Sequence, residues 1–244
     1  MDTARHLISP MMLDTLFRVF VLIFVTAATT KAVSVTQTYK PGEYVVIEQG
    51  LSPDKRHSIA AHGDGPLGDD NFHLYLMDAA TRKPIGPLTE IEATMDTRAD
   101  AFHGEWAPDS RHVAISYRFQ LHDRFLDFYR IEDRRAFAVK YPDLFSTVAP
   151  HFNWAPYGFS GPIGGALGVK WKSPTQFILM ETGFWRRGQR SPKAKFGKFL
   201  KEEIESDENG KPSLSVYFSA EARCELTAED HCKIVALNPG KFGP

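Results

Sequence analysis

Three places in this chain bring titratable side chains close together. The first runs from His62 to His73 and holds two imidazoles, three carboxylates and one amide in twelve residues. Oxygen-rich loops suit calcium, and a histidine pair suits a transition ion. The ligand candidates are His62, Asp64, Asp69, Asp70 and His73, but their spacing matches no EF-hand or other metal motif. Asp and Gly in such numbers serve turn geometry equally well, so no metal or other cofactor is expected. The second and third places are His103 with Glu105, and His122-Asp123, both able to exchange protons near neutrality. Neighbours on a strand point to opposite faces, so His122 and Asp123 cooperate only on a turn. No Gly-x-Ser-x-Gly elbow surrounds any serine, and Gly158-Phe159-Ser160-Gly161-Pro162 fails the pattern.

Two further segments are rich in binding chemistry. Gly161 to Gly168 is glycine-rich, but a phosphate cradle needs a strand before it and a helix after it, and here a strand-like segment follows. Arg186, Arg187, Arg190, Lys193, Lys195, Lys198 and Lys201 then place seven cations in sixteen positions without an acid. Glu202, Glu203, Glu205, Asp207 and Glu208 follow at once. This block either docks on an anionic surface, with Trp185 stacking beside it, or pairs internally with the acids that follow it. The binding candidates are His73, Trp154, Tyr157, Phe159, Trp185, Arg186, Arg187 and Arg190.

The amino terminus reads as an export signal. Leu16 to Ala28 (LFRVFVLIFVTAA) is an apolar core followed by small residues, with cleavage after Ala28 or Ala32 and Ala32 preferred. The apolar run is short for a membrane-spanning helix, which needs about 20 residues. An uncleaved anchor or a start at Met11 or Met12 are the alternatives. Residues 1–32 are thus a signal peptide and 33–244 one domain, periplasmic or secreted. Cys224 and Cys232 fit that compartment, since a close pair in an oxidising medium joins as a disulfide. The formal net charge is −1, so no global field recruits nucleic acid.

These residues need a scaffold, and the sequence supplies one by repetition. Leu51-Ser52-Pro53-Asp54-Lys55-Arg56-His57 returns as Trp106-Ala107-Pro108-Asp109-Ser110-Arg111-His112, with Pro53 and Pro108 55 positions apart. Leu74-Tyr75-Leu76-Met77-Asp78 matches Phe128-Tyr129-Arg130-Ile131-Glu132 at nearly the same offset. A repeat of this length with β-branched and aromatic strands is a small antiparallel sheet. The first copy contains four strands between Tyr44 and Leu88, and the second runs from Phe102 to Val139. A weaker third copy starts near Val169 and continues through Gln176–Glu181, Ser213–Ser219 and Lys233–Leu237. Between the second and third copies lies an insertion, Tyr141 to Gly168. Phe199, Leu200 and Ile204 fall on one helical face, so Gly197 to Glu208 is expected to be one short helix in a late insertion.

Trp106-Ala107-Pro108-Asp109-Ser110-Arg111-His112-Val113-Ala114-Ile115 resembles the W-S-P-D-G-x-x-I-A blade motif of TolB-like (WD40-like, PD40) β-propellers. The aromatic strands Phe128–Asp133 and Leu74–Asp78 stand where those blades carry an I-Y-x-x-D strand. The resemblance implies an all-β, propeller-like array of about three to four antiparallel blades, with Trp106 packed between neighbouring sheets. Propellers of that family usually have six blades, and this chain is shorter. The family likeness is nearly silent on function.

The reading that follows is an exported, non-catalytic binding or interaction module, whose partner is another protein or an anionic envelope component. The alternative is an exported hydrolase or lyase with a His/Asp site in the 62–122 region. That alternative requires His62, Asp64, His73, His103 and His122 to converge in one concave site. A structural or assembly role in the envelope is a third possibility.

Overall fold

The computed structural model describes residues 36–88, 91, 96–118, 124–151, 164–187, 198–206 and 209–242. Residues 1–32, with the expected export signal, lie outside that set. Among the described residues no helix is long and apolar enough to cross a membrane.

Thirteen strands lie among the described residues. The first blade is β1 (Val45–Leu51), β2 (His57–Asp64), β3 (Asp70–Asp78) and β4 (Lys83–Leu88). The second is β5 (Phe102–Trp106), β6 (His112–Arg118), β7 (Arg124–Glu132) and β8 (Arg135–Val139). Each is an antiparallel meander, and the two join in the order β4-β3-β2-β1-β5-β6-β7-β8. The join is a single parallel register point, Glu48 opposite His103, between the two innermost strands. The third unit holds β9 (Gly164–Trp171), β10 (Gln176–Arg187), β11 (Leu200–Ser206), β12 (Pro212–Leu226) and β13 (Cys232–Pro239). Here β12 is long enough to pair β11 along its first half and β13 along its second, with β10 on its other edge. The architecture is all-β and propeller-like, as the repeat demanded.

Alternation along the strands decides which blades touch. Phe72, Leu74 and Leu76 share one face of β3 and pack with Ile59 against Phe102, Val113, Ile115, Tyr129 and Ile131 of the second blade. The other face of that second blade presents Ala114, Leu126 and Phe128 to Trp171, Phe177, Leu179 and Phe218 of the third unit. So β6 is buried on both faces, and its pattern is nearly continuous burial rather than strict alternation.

Two tryptophans fasten the units together. Trp106 ends β5 and donates its indole N–H to the carbonyl of Gly50 in β1, at 3.2 Å. Trp171 ends β9 and donates to the carbonyl of Glu105 in β5, at 2.8 Å. Gly50 and Glu105 are themselves equivalent across the 55-residue repeat, so the same contact occurs twice. Leu51 holds the corresponding place in the first blade and is 48% exposed. Close approach of β1 to β2 also needs glycine, because a Cβ on Gly50 would lie 2.6 Å from the carbonyl oxygen of Ile59.

The expected helix over Gly197–Glu208 is replaced by strand. Leu200 to Ser206 pairs residue by residue with Phe218 to Pro212. Phe199 and Leu200 reach the core, but Ile204 is 59% exposed, so the three never form a buried helical face. Edge hydrogen bonds to β12 outweighed a weak helical pattern. Among the described residues an α-helix forms instead in the earlier insertion, α1 (Leu144–Val148). Asp143 caps it by accepting the N–H of Ser146 at 2.8 Å, and Glu181 of β10 accepts the N–H of Leu144 at 2.8 Å. Burial pushes the Glu181 carboxyl up to about 7, Asp143 adds to this, and the two N–H bonds oppose it.

Two predictions follow from these contacts. Trp171→Phe keeps the ring and leaves the Glu105 carbonyl without its donor, which should cost about 1–3 kcal/mol in a urea melt with unchanged slope. Leu51→Phe, at the open equivalent, should change the midpoint little. Because Glu181 binds its proton more tightly when folded, its stabilisation is fully present below the unfolded value near 4.5 and is lost as pH rises through about 7. The loss is on the order of 3 kcal/mol at most. Melts from pH 4 to 8 should therefore show Glu181→Gln flattening the decline, and parallel curves for both proteins would refute this account.

Candidate functional site

The turns after β1 and β5 are built alike. In the first, Lys55 N–H bonds Ser52 O at 2.9 Å and Ser52 N–H bonds His57 O at 2.9 Å. In the second, Ser110 N–H bonds Ala107 O at 3.0 Å and Ala107 N–H bonds His112 O at 2.8 Å. Asp54 accepts the N–H of Arg56 at 3.1 Å, and Asp109 accepts that of Arg111 at 3.0 Å. Lys55 and Ser110 both take left-handed backbone, at φ 59° and 63°. Proline presets the turn and the aspartate closes it, which is why Pro-Asp recurs. The two turns also touch, since Asp54 N–H donates to Ser110 Oγ at 3.0 Å.

Between them opens a cavity of about 870 Å³. Its walls come from both turns, from the β7–β8 hairpin, from Thr175 and from the β12–β13 connection. The third unit enters through Asp230, whose carboxylate meets Arg130 Nε at 2.7 Å and His112 Nε2 at 3.2 Å. Glu132 pairs with Arg130 at 2.7 Å, and Arg134 crosses to Asp78 of the first blade at 3.0 Å. Stacking of His112 on Trp171, with centroids 6.0 Å apart, joins the cavity wall to the inter-blade tryptophan.

Electrostatics here follow from burial and neighbours. Burial lowers the His57 imidazole below its usual value; Arg56 and Arg134 push the same way, against Asp54 and Asp78. The N–H of Thr81 and then Arg134 hold the Asp78 carboxyl down at about 2. For Asp54, burial alone would raise the carboxyl, but bonds from Ser52, Arg56 N–H and Ser110 outweigh it and the net shift is downward.

The residues expected from sequence lie elsewhere. His62 and His73 stand opposite each other across β2 and β3. His62 Nδ1 lies 2.6 Å from the Glu43 carbonyl, and its ring packs on Tyr44 with centroids 4.7 Å apart. Asp64 is 3.7 Å from His62, and Asp70 pairs opposite Asp64. Asp69 precedes β3. Among the described residues no group of three or more His, Cys, Asp or Glu side chains converges to hold a metal. His103 sits apart on β5, 3.4 Å from Glu48 and 3.5 Å from Glu105. His122 lies outside the described residues, as do Trp154, Tyr157, Phe159 and Arg190. The backbone of Trp185, Arg186 and Arg187 closes β10 opposite Val216, Ser215 and Leu214. Cys224 and Cys232 face the same core from β12 and β13, unjoined here and within hydrogen-bonding reach of each other. Of the histidines expected to converge, His62 and His73 thus face each other across β2 and β3, and His103 lies on β5.

The cavity itself was missed as a site, although its signal was present. Arg-His follows Pro-Asp by one residue in both copies, at 56–57 and 111–112. Reading the repeat for what it delivers to one end of the blades, rather than for architecture alone, would have found it.

The environment of His57 gives a direct check. Its ring should titrate below 6.5 by NMR, and Arg56→Gln should move the midpoint upward, while Arg124→Gln should not. Stability contributed by neutral His57 is present above 6.5 and falls as pH drops through the folded value. A wild-type midpoint at or above 6.5 would contradict the burial argument.

Comparison with known proteins places few landmarks. No protein-family model matches the chain, and no curated protein matches it. Among solved structures it is similar to a protein described as "putative TolB from Agrobacterium tumefaciens", with 10% sequence identity and a TM-score of 0.28. The alignment covers 86% of this chain and 52% of that one, so the chain spans about half the length of that protein.

Proposed function

We propose that this chain is an exported, non-catalytic binding module that takes its partner at the cavity formed by the repeated Pro-Asp turns. One observation carries the reading: equivalent residues of two blades, Arg56-His57 and Arg111-His112, line one cavity of about 870 Å³ together with Asp230 of the third unit. Three separate units supply the walls, and the connections at that end of the blades present polar groups to solvent. Loops held on a rigid scaffold are where such scaffolds place recognition. His103 stands apart from the His62–His73 pair, so the hydrolase or lyase alternative lacks the convergence it requires among the described residues. The segment 1–32 supports export, and in an oxidising compartment Cys224 and Cys232 would be joined. The basic block around Arg186 remains a second contact region for an anionic partner.

Site-specific photo-crosslinking tests this reading. A benzophenone side chain at Ala228, an exposed wall residue in the β12–β13 connection, should yield a discrete adduct in cells making the full chain. The same group at Leu67, exposed in the β2–β3 loop, should not. Equal labelling from both positions, or none from 228, would reject the cavity as the binding site. Thiol labelling of the secreted or periplasmic protein without reductant should leave both cysteines unmodified.

A further inference from the structure

The charges around the cavity are formally near balance, with four arginines against five acids in its lining. Partnering, rather than the sum, decides what a ligand meets. Arg130 is held by Glu132 and Asp230, and Arg134 by Asp78. Asp54 and Asp109 turn back into their own turns and accept the N–H groups of Arg56 and Arg111. Asp133 alone stands at an exposed turn with left-handed backbone, φ 47°. Arg56 and Arg111 are the remaining cations, and neither guanidinium meets a carboxylate among the described residues.

Their placement is not independent. They occupy equivalent positions of the repeat, and Asp54 N–H to Ser110 Oγ locks the two turns against each other at 3.0 Å. Each arginine backbone is pinned as well: Arg56 O accepts Ala79 N–H at 3.1 Å, and Arg111 O accepts Ile131 N–H at 2.7 Å. Guanidinium does not lose its proton, so both groups keep their charge where they line the cavity. A planar or tetrahedral oxyanion is the group that accepts paired N–H bonds from such side chains.

We propose that Arg56 and Arg111 form a two-armed seat for an oxyanion, a carboxylate or phosphate group carried by the ligand of this cavity. The proposal rests on the binding reading above and adds the chemistry of what is bound. His57 and His112 flank the seat on the adjacent positions and shape its walls. Both arginines are solvent-exposed, so the attraction is short-ranged and screened by salt.

Titration calorimetry on the full chain tests it, with inorganic phosphate and acetate as probes at matched ionic strength. Saturable binding should weaken about tenfold in Arg56→Gln and in Arg111→Gln, equivalent to 1.4 kcal/mol each. It should disappear in the double variant and persist in Arg124→Gln, with urea midpoints unchanged throughout. Preference for phosphate assigns a phosphorylated ligand, and preference for acetate assigns a carboxylate; either supports the seat. Binding that survives in the double variant, or wild-type protein that binds neither anion, overturns it. If neither anion binds while the crosslink from position 228 persists, the seat is wrong and the cavity still binds a partner. Anion binding lost in the double variant, without any crosslink, would keep the seat and reject the partner reading.

Discussion

An indole N–H reaching the carbonyl of the preceding innermost strand is the contact on which this molecule depends. It occurs from Trp106 to Gly50 and again from Trp171 to Glu105. Each tryptophan is the last residue of its strand, so the bond fixes both the spacing between blades and the point where the next turn begins. The turns after β1 and β5 are then held side by side, and the cavity between them is a by-product of that alignment. His112, stacked on Trp171, shows how directly the fastening and the cavity wall are connected. The same ring that secures the third unit fixes the imidazole that Asp230 meets.

Much of the fold was legible because the chain repeats itself. Both clear copies fell on four-stranded meanders, and Pro53 and Pro108 fell in matching turns. Local chemistry explains this, since Pro-Asp sets a turn without help from distant residues. The segment 200–206 was not legible, because Phe199, Leu200 and Ile204 suit a weak helix as well as a strand, and the choice was made by an available edge of β12. The first half of β12 offers hydrogen bonds that an isolated segment does not see. The single parallel point between Glu48 and His103 was likewise invisible, since register between sequence-distant strands leaves no local mark.

The site was harder to read than the fold for a physical reason. Residues close in the chain are what a sequence displays, and the His62–His73 segment holds two imidazoles and three carboxylates in twelve residues. Across β2 and β3 that segment yields a histidine pair on a face lined by Tyr44 and Tyr75 rather than a converging ligand set. The cavity instead collects its groups from positions 54–57, 109–112, 130–134 and 227–230, with Thr175 beside them. No single stretch looks functional, and only the equivalence of Arg56-His57 with Arg111-His112 gives the arrangement away. The basic run from Arg186 is conspicuous as a run, whereas Arg56 and Arg111 stand out only once the fold sets both at one cavity.

Burial of β6 on both faces has a consequence for how the domain comes apart. Val113 and Ile115 belong to one apolar cluster and Ala114 to the other, so β6 has no solvent side of its own. Losing either neighbour uncovers one whole face of it. A strand packed this way should be among the last to exchange, opening only with the global unfolding of the domain. Sequence drift should accordingly be tolerated on the outward faces of the first and third units long before it is tolerated in the middle one.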